Sequence, residues 1–148
     1  MTQAEIKQLV ELDVWLEIHV FNRKPASSDL ETFYASPAEE AAFHRAGLAT
    51  PVFPLRRFSL GTGHALEVFR RCTEVHPFIG VRKNRVIMLT EHGGLMGIDC
   101  TGVNLEVAVC VFAKALFTFL ENEKLGRNDA IGLPIETVTQ MTRSSNDH

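Results

Sequence analysis

The chain has 148 residues, 45% of them apolar and 22% charged, with a net charge of −3. This is the composition of an ordinary globular domain, long enough to bury about two-thirds of its unfolded surface. The slight negative charge excludes a global positive field that would gather nucleic acid or an anionic membrane.

The first helix starts at Thr2, because Thr2 and Glu5 three residues later form a capping box. Ile6, Leu9, Val10, Leu16 and Val20 recur at helical spacing, with Asp13 interrupting the stripe, and Asn22 to Pro25 end it. Residues Ala26 to Tyr34 carry no assignable pattern. A second, short helix follows Ser36 as N-cap, with Pro37 at its first position, Glu39 completing a second capping box and Gly47 as the stop. Pro51 and Pro54 predict an extended crossing segment without regular structure between Leu48 and Phe58.

A third helix begins near Thr62 and turns Ala65, Leu66, Phe69 and Cys72 inward. Phe78 to Val81 and Val86 to Leu89, either side of a polar turn with Asn84, read as an antiparallel hairpin. After the His92-Gly93-Gly94 turn, Leu95 to Cys100 supplies a third strand, giving a meander, with a fourth strand to be sought before residue 60. The fourth helix is marked by Leu105, Ala108, Val109, Phe112, Leu116 and Phe119, and its other side, Val107, Cys110, Val111 and Ala113, is apolar too. Such a helix calls for cover on more than one side, from the sheet and from the first helix, the tail or a second subunit. Ile131 to Val138 can dock as an extended segment, and residues 141–148 read as a disordered tail behind a single domain over 1–140.

Three segments resemble the phage proteins of the alpha-beta-alpha sandwich domain family. Leu12-Asp13 lies inside the N-terminal helix, Phe58-Ser59 and Gly61 to Val68 enter an alanine-bearing helix, and Val103 to Leu116 form a closing alanine-rich helix. Their order and the hairpin between the last two agree as well. The resemblance implies a small phage or prophage protein and brings no assigned activity, cofactor or ligand.

Chemistry is sparsely signposted. Gly61-Thr62-Gly63 leads into a helix whose first N–H groups are unpaired, Arg56 and Arg57 lie just upstream, and Arg82, Lys83 and Arg85 crowd the hairpin turn. Asp13, Arg56, Arg57, Gly61, Thr62, Gly63 and His64 form the candidate site for a small anionic ligand, phosphate or carboxylate, joined by the hairpin-turn cations if the fold brings them together. The alternative is that Thr62 caps the helix and the arginines are solvated. Asp13, placed among apolar positions, needs a donor, and a structural use is to accept hydrogen bonds from a nearby turn. The six histidines show no HxxxH or HExxH spacing; His92, Asp99 and Cys100 offer only an imaginable mixed site, so no metal is expected. Cys72 and Cys110 read as small core residues, and three cysteines without CxxC spacing fit a reducing, cytoplasmic compartment. The carboxylate pairs at Glu39-Glu40 and Glu121 to Glu123 fit exposed helix surface. No signal peptide is apparent, and Leu105 to Leu120 is too short and too charged to span a bilayer.

The reading is an α+β fold, a small antiparallel β-meander packed against or between α-helices as an alpha-beta-alpha sandwich. The expected role is binding without catalysis or cofactor. A homodimer is the first partner and a host or phage protein the second, with no nucleic acid and no membrane. The alternative is a small-ligand or nucleotide-handling enzyme built on the helix start at Gly61 to His64. These two readings differ in one observable: an enzyme gathers at least two of Asp13, Arg57 and His64 around one concave pocket.

Overall fold

The structure, a computed structural model, describes residues 2–75, 79–82, 85–89, 95–99, 104–124 and 136–137, with 79–82, 85–89, 95–99, 123–124 and 136–137 given by backbone alone. The fold is α+β. Helix α1 (Gln3–His19) is opened by the Thr2–Glu5 capping box, with both reciprocal bonds formed at 3.1 and 3.2 Å. It ends where Asn22 adopts a left-handed φ of +57°, which an asparagine tolerates at little cost, and the Arg23 N–H turns back to the Glu17 carbonyl at 2.9 Å. That reversal lays the Arg23 side chain along the helix it has just left.

Residues Ala26 to Tyr34, without a pattern in the sequence, form most of a hairpin. Strands β1 (Lys24–Pro25) and β2 (Thr32–Tyr34) are antiparallel, with Phe33 opposite Pro25 and fully buried. Helix α2 (Pro37–Arg45) has the expected capping box at Ser36 and Glu39, and Gly47 follows it at φ +72°. The segment between the prolines is not irregular throughout: β3 (Val52–Pro54) pairs antiparallel with β2, Phe53 facing Phe33. Because the Leu55 N–H donates to the Glu31 carbonyl, alternation along the ladder turns the backbone groups of Val52 and Pro54 away from β2. Pro54 has no N–H to offer there, so the edge presents the single donor of Val52 and resists strand addition.

Helix α3 (Thr62–Val75) buries Ala65, Val68 and Cys72. Leu66, expected inward, is instead exposed, since the 65-68-72 spacing selects the stripe and Leu66 falls outside it. Strands β4 (Ile79–Arg82), β5 (Arg85–Leu89) and β6 (Leu95–Asp99) make the predicted antiparallel meander. Its fourth member is not from before residue 60: β1 to β3 form a sheet of their own, and β7 (Glu136–Thr137) joins parallel to β6. The turn at 83–84, the region 90–94, Cys100 and the tail expected after 140 lie outside the described residues.

Helix α4 (Leu105–Lys124) organises the core. It packs against α1 and α3 and against β5 and β6, which explains why its apolar residues go all the way round. Val107 through Ala113 are buried without interruption, with Leu116 beyond, and they close on Leu9, Leu12, Leu16 and Val20 of α1 and Val68 and Cys72 of α3. The internal partners therefore account for the apolarity from which a dimer was expected, and that pattern no longer calls for a second subunit. No helix among the described residues is long and apolar enough to cross a membrane.

Candidate functional site

Asp13 and Glu17 stand one turn apart on the same face of α1, and both are fully buried. A buried carboxylate without partners costs several kcal/mol, and the segment entering α3 supplies the partners. Asp13 Oδ1 accepts the Ser59 N–H at 2.9 Å, and its Oδ2 accepts the Ser59 hydroxyl at 2.9 Å and Arg57 Nε at 2.8 Å. This is the structural use expected of Asp13, a turn donating into it, for the turn is closed by Leu60 N–H on the Arg57 carbonyl. Burial raises the Asp13 carboxyl above its ordinary range, and the Arg57 and Ser59 hydrogen bonds pull it back only in part.

Glu17 escaped the sequence reading, which placed no acid of α1 other than Asp13 in the core. Its Oε1 accepts Arg56 Nη2 at 2.6 Å, and its Oε2 accepts Arg56 Nε at 3.2 Å and the Arg56 N–H at 3.3 Å. Arg23 Nη1 reaches the same Oε2 at 3.5 Å, while its Nε and Nη2 grip Glu39 at 2.9 and 2.7 Å. Arg56 Nη1 continues to Glu67 of α3 at 2.7 Å. One chain of charge, Glu39–Arg23–Glu17–Arg56–Glu67, thus ties α2 to α1 and α1 to α3. Glu39 is not the solvated residue expected of it; it is half-buried, and its hydrogen bonds from Arg23 hold its carboxyl down at about 2. Aromatic rings back both arginines: Arg56 lies 4.4 Å from the Phe21 centroid and 4.8 Å from that of Phe58, and Arg23 lies 4.2 Å from Phe53. The Phe21 and Phe58 rings are themselves stacked at 5.1 Å. The signal that could have found Glu17 is a pair of acids at i and i+4 on a core helix and an adjacent Arg56-Arg57 pair to meet them.

The other candidate residues sit at the helix start. Thr62 directs its hydroxyl to Glu106 of α4 at 2.8 Å, joining the N-terminal ends of the two helices. Gly63 is exposed, with open space where a side chain would be, and Gly61 lies against the His64 ring. His64 is exposed, its Nδ1 3.8 Å from Glu67 and its ring edge-on to Phe58. Of the three residues that separate the two functional readings, Asp13 and Arg57 are in contact and His64 stands apart on Glu67. The described concavities lie elsewhere. One, an open groove of about 830 Å³, runs between His19 and Asn22 of the α1 end, Val75, and Phe117 and Leu120. The other, of about 160 Å³, lies between Gln8 and Leu12 of α1 and Val107 and Lys114 of α4. The side chains of Arg82, Lys83 and Arg85 lie outside the described residues.

No family model, curated protein or solved structure matches the chain. Among the described residues no group of three or more His, Cys, Asp or Glu side chains is arranged to hold a metal ion. Cys72 and Cys110 are buried, free thiols; burial pushes Cys72 up to about 12 and Cys110 higher still, so neither offers a thiolate.

Proposed function

We propose that the protein acts by binding, not by catalysis, and that a second copy of the chain is its first partner. The observation that carries this reading is at the junction of α3 and α4. Leu60, Leu66 and Leu105 flank the Thr62–Glu106 hydrogen bond, two residues before it, one helical turn after it and beside it. They are 54%, 62% and 47% exposed. Single exposed leucines are common, but three close in sequence to the two ends of one polar contact support an apolar surface of the kind that partners cover. A two-fold interface sets the same patch against itself, and leucines pack well on their own copies. Catalysis is poorly served by comparison: both buried acids of α1 hold arginines and a turn, and His64, the accessible general-base candidate at the helix start, faces Glu67.

The proposed setting is a small accessory protein of phage or prophage origin, supported by the resemblance in Leu12-Asp13, Phe58 to Val68 and Val103 to Leu116, and cytoplasmic, supported by three cysteines without CxxC spacing. Sedimentation velocity across a concentration series tests the association. The parent should dimerise, and Leu66→Glu should sediment as a monomer that melts where the parent does when diluted to the monomer, because Leu66 contributes little to the fold's own core. A parent that stays monomeric at its highest soluble concentration overturns self-association.

A further inference from the structure

We propose that Arg57 is a recognition residue for an oxyanion, its guanidinium held ready for a ligand group that presents two coplanar oxygens, a carboxylate or a phosphate. Three arginines meet the buried carboxylates, and they differ in what they leave unpaired. Arg23 gives Nε and Nη2 to Glu39 and Nη1 to Glu17. Arg56 gives Nε and Nη2 to Glu17 and Nη1 to Glu67. Arg57 gives Nε alone, to Asp13, and among the described residues neither of its Nη nitrogens has a partner.

An arginine that only anchors a carboxylate gains most from two parallel N–H···O bonds, as Arg56 makes with Glu17. Asp13 cannot rotate to provide the second bond. The Ser59 N–H holds its Oδ1, and the Ser59 hydroxyl shares its Oδ2 with Arg57. Both Asp13 and Ser59 are fully buried, so the clamp is rigid, while the Arg57 side chain is 34% exposed. Among the described residues the side chain is therefore fixed at Nε and open at Nη1 and Nη2. Fixing it in advance reduces the rotamer entropy lost when a planar oxyanion docks, and the fork geometry favours two-oxygen groups over chloride. Asp13 and Ser59 act in this site as positioning residues. The proposal goes beyond self-association and does not depend on it, since one copy carries the whole arrangement.

The test is arginine-resolved NMR of the full-length chain titrated with inorganic phosphate and, separately, with acetate, with sodium chloride as the ionic-strength control. The expected result is a saturable shift of the Arg57 Nε–Hε signal and slowed rotation of its Nη groups, with Arg23 and Arg56 unmoved. Arg57→Lys keeps the charge and loses the fork, so the anion-induced rise in melting temperature should fall to the level chloride gives. Asp13→Asn, read below its own melting temperature, should weaken binding several-fold and speed Nη rotation, an effect a merely structural role would not produce. A response to phosphate alone, acetate alone or both assigns the ligand group as phosphate, carboxylate or either. Arg57 signals that stay still in both titrations, that move equally with chloride, or Arg57→Lys binding as the parent does, overturn the proposal.

Discussion

Glu17→Gln is the sharpest perturbation of the ion chain, because it removes the central charge while keeping side-chain volume. In the parent, Glu17 accepts four hydrogen bonds from two guanidinium groups and one backbone N–H. Glutamine keeps one acceptor oxygen and turns an NH2 group toward an arginine. Arg56 is left with Glu67, whose side chain is 46% exposed, and Arg23 with Glu39. Charge-assisted hydrogen bonds contribute about 1.5–3 kcal/mol each, and breaking a buried pair from one side costs about 3–5 kcal/mol. The surviving partners, Glu67 and Glu39, limit the loss, so about 3–4 kcal/mol is expected. Against a total stability of roughly 5–15 kcal/mol, the variant should still fold. Urea unfolding followed through Trp15, the only tryptophan and itself on α1, measures the change, with an unchanged slope showing that the same surface is exposed. Glu67→Gln, which cuts the exposed end of the chain, should cost less than about 1 kcal/mol. If Glu17→Gln also falls within 1 kcal/mol of the parent, the ion chain does not hold the 53–59 segment to α1, and the apolar contacts of Phe58 do.

Three further outcomes are expected. Glu39, with a folded pKa of about 2 against an ordinary 4.5, contributes stability that is present above pH 4.5 and lost as the pH falls toward 2. The stability gap between parent and Glu39→Gln should therefore close across that window, and a gap constant with pH contradicts the Arg23 pairing; Asp13, raised above 3.8, works in the opposite sense and favours the fold as it protonates. Cys72 and Cys110 should resist iodoacetamide in the folded protein at neutral pH and label readily in denaturant, as read by peptide mass mapping. Leu30 sits at φ +62°, a conformation costing a non-glycine residue about 1–2 kcal/mol. Leu30→Gly should raise stability by about 0.5 kcal/mol once the extra freedom of glycine in the unfolded chain is subtracted; a fall of that size would show that the exposed leucine is doing more packing than its surroundings indicate.

The sequence announced its helices through their ends and concealed its charges. Thr2 with Glu5, Ser36-Pro37 with Glu39, and Gly47 are local devices, so they are legible without knowing what the helix packs on. Which face turns inward is not local: Leu66 is more apolar than Val68 as a side chain, yet Val68 lies on the 65-68-72 line that meets α4 and Leu66 does not. Strands of two or three residues, such as β1 to β3, are shorter than any period that could reveal them, and their prolines argue against them. Asp13 drew notice because it broke a stripe. Glu17 did not, since an acid on a helix defaults to solvent until a partner 39 residues away is known.

The same long-range partners explain why so much charge is inside. The stretch from Arg56 to Gly61 has no helix or sheet ladder of its own, yet Phe58 and Ser59 must enter the core at one register. Apolar contacts are non-directional and would accept Phe58 with the neighbouring residues slid or rotated. Carboxylates fixed one turn apart on α1 accept Arg56 and Arg57 only in that order, because each must meet its own arginine and Asp13 must also receive Ser59. Directional, charge-assisted bonds thus set the geometry that burial alone leaves loose. Helix α2 is the extension of this logic: it buries no residue fully, so Glu39 on Arg23 and the tilted Phe43–Phe53 contact fix where it lies. Every acid in this system has its arginine, and every arginine but one is used on all three nitrogens. The exception, Arg57, is the most exposed of the three at 34%, and among the described residues its two Nη nitrogens have no partner, which is the combination the proposed recognition role rests on.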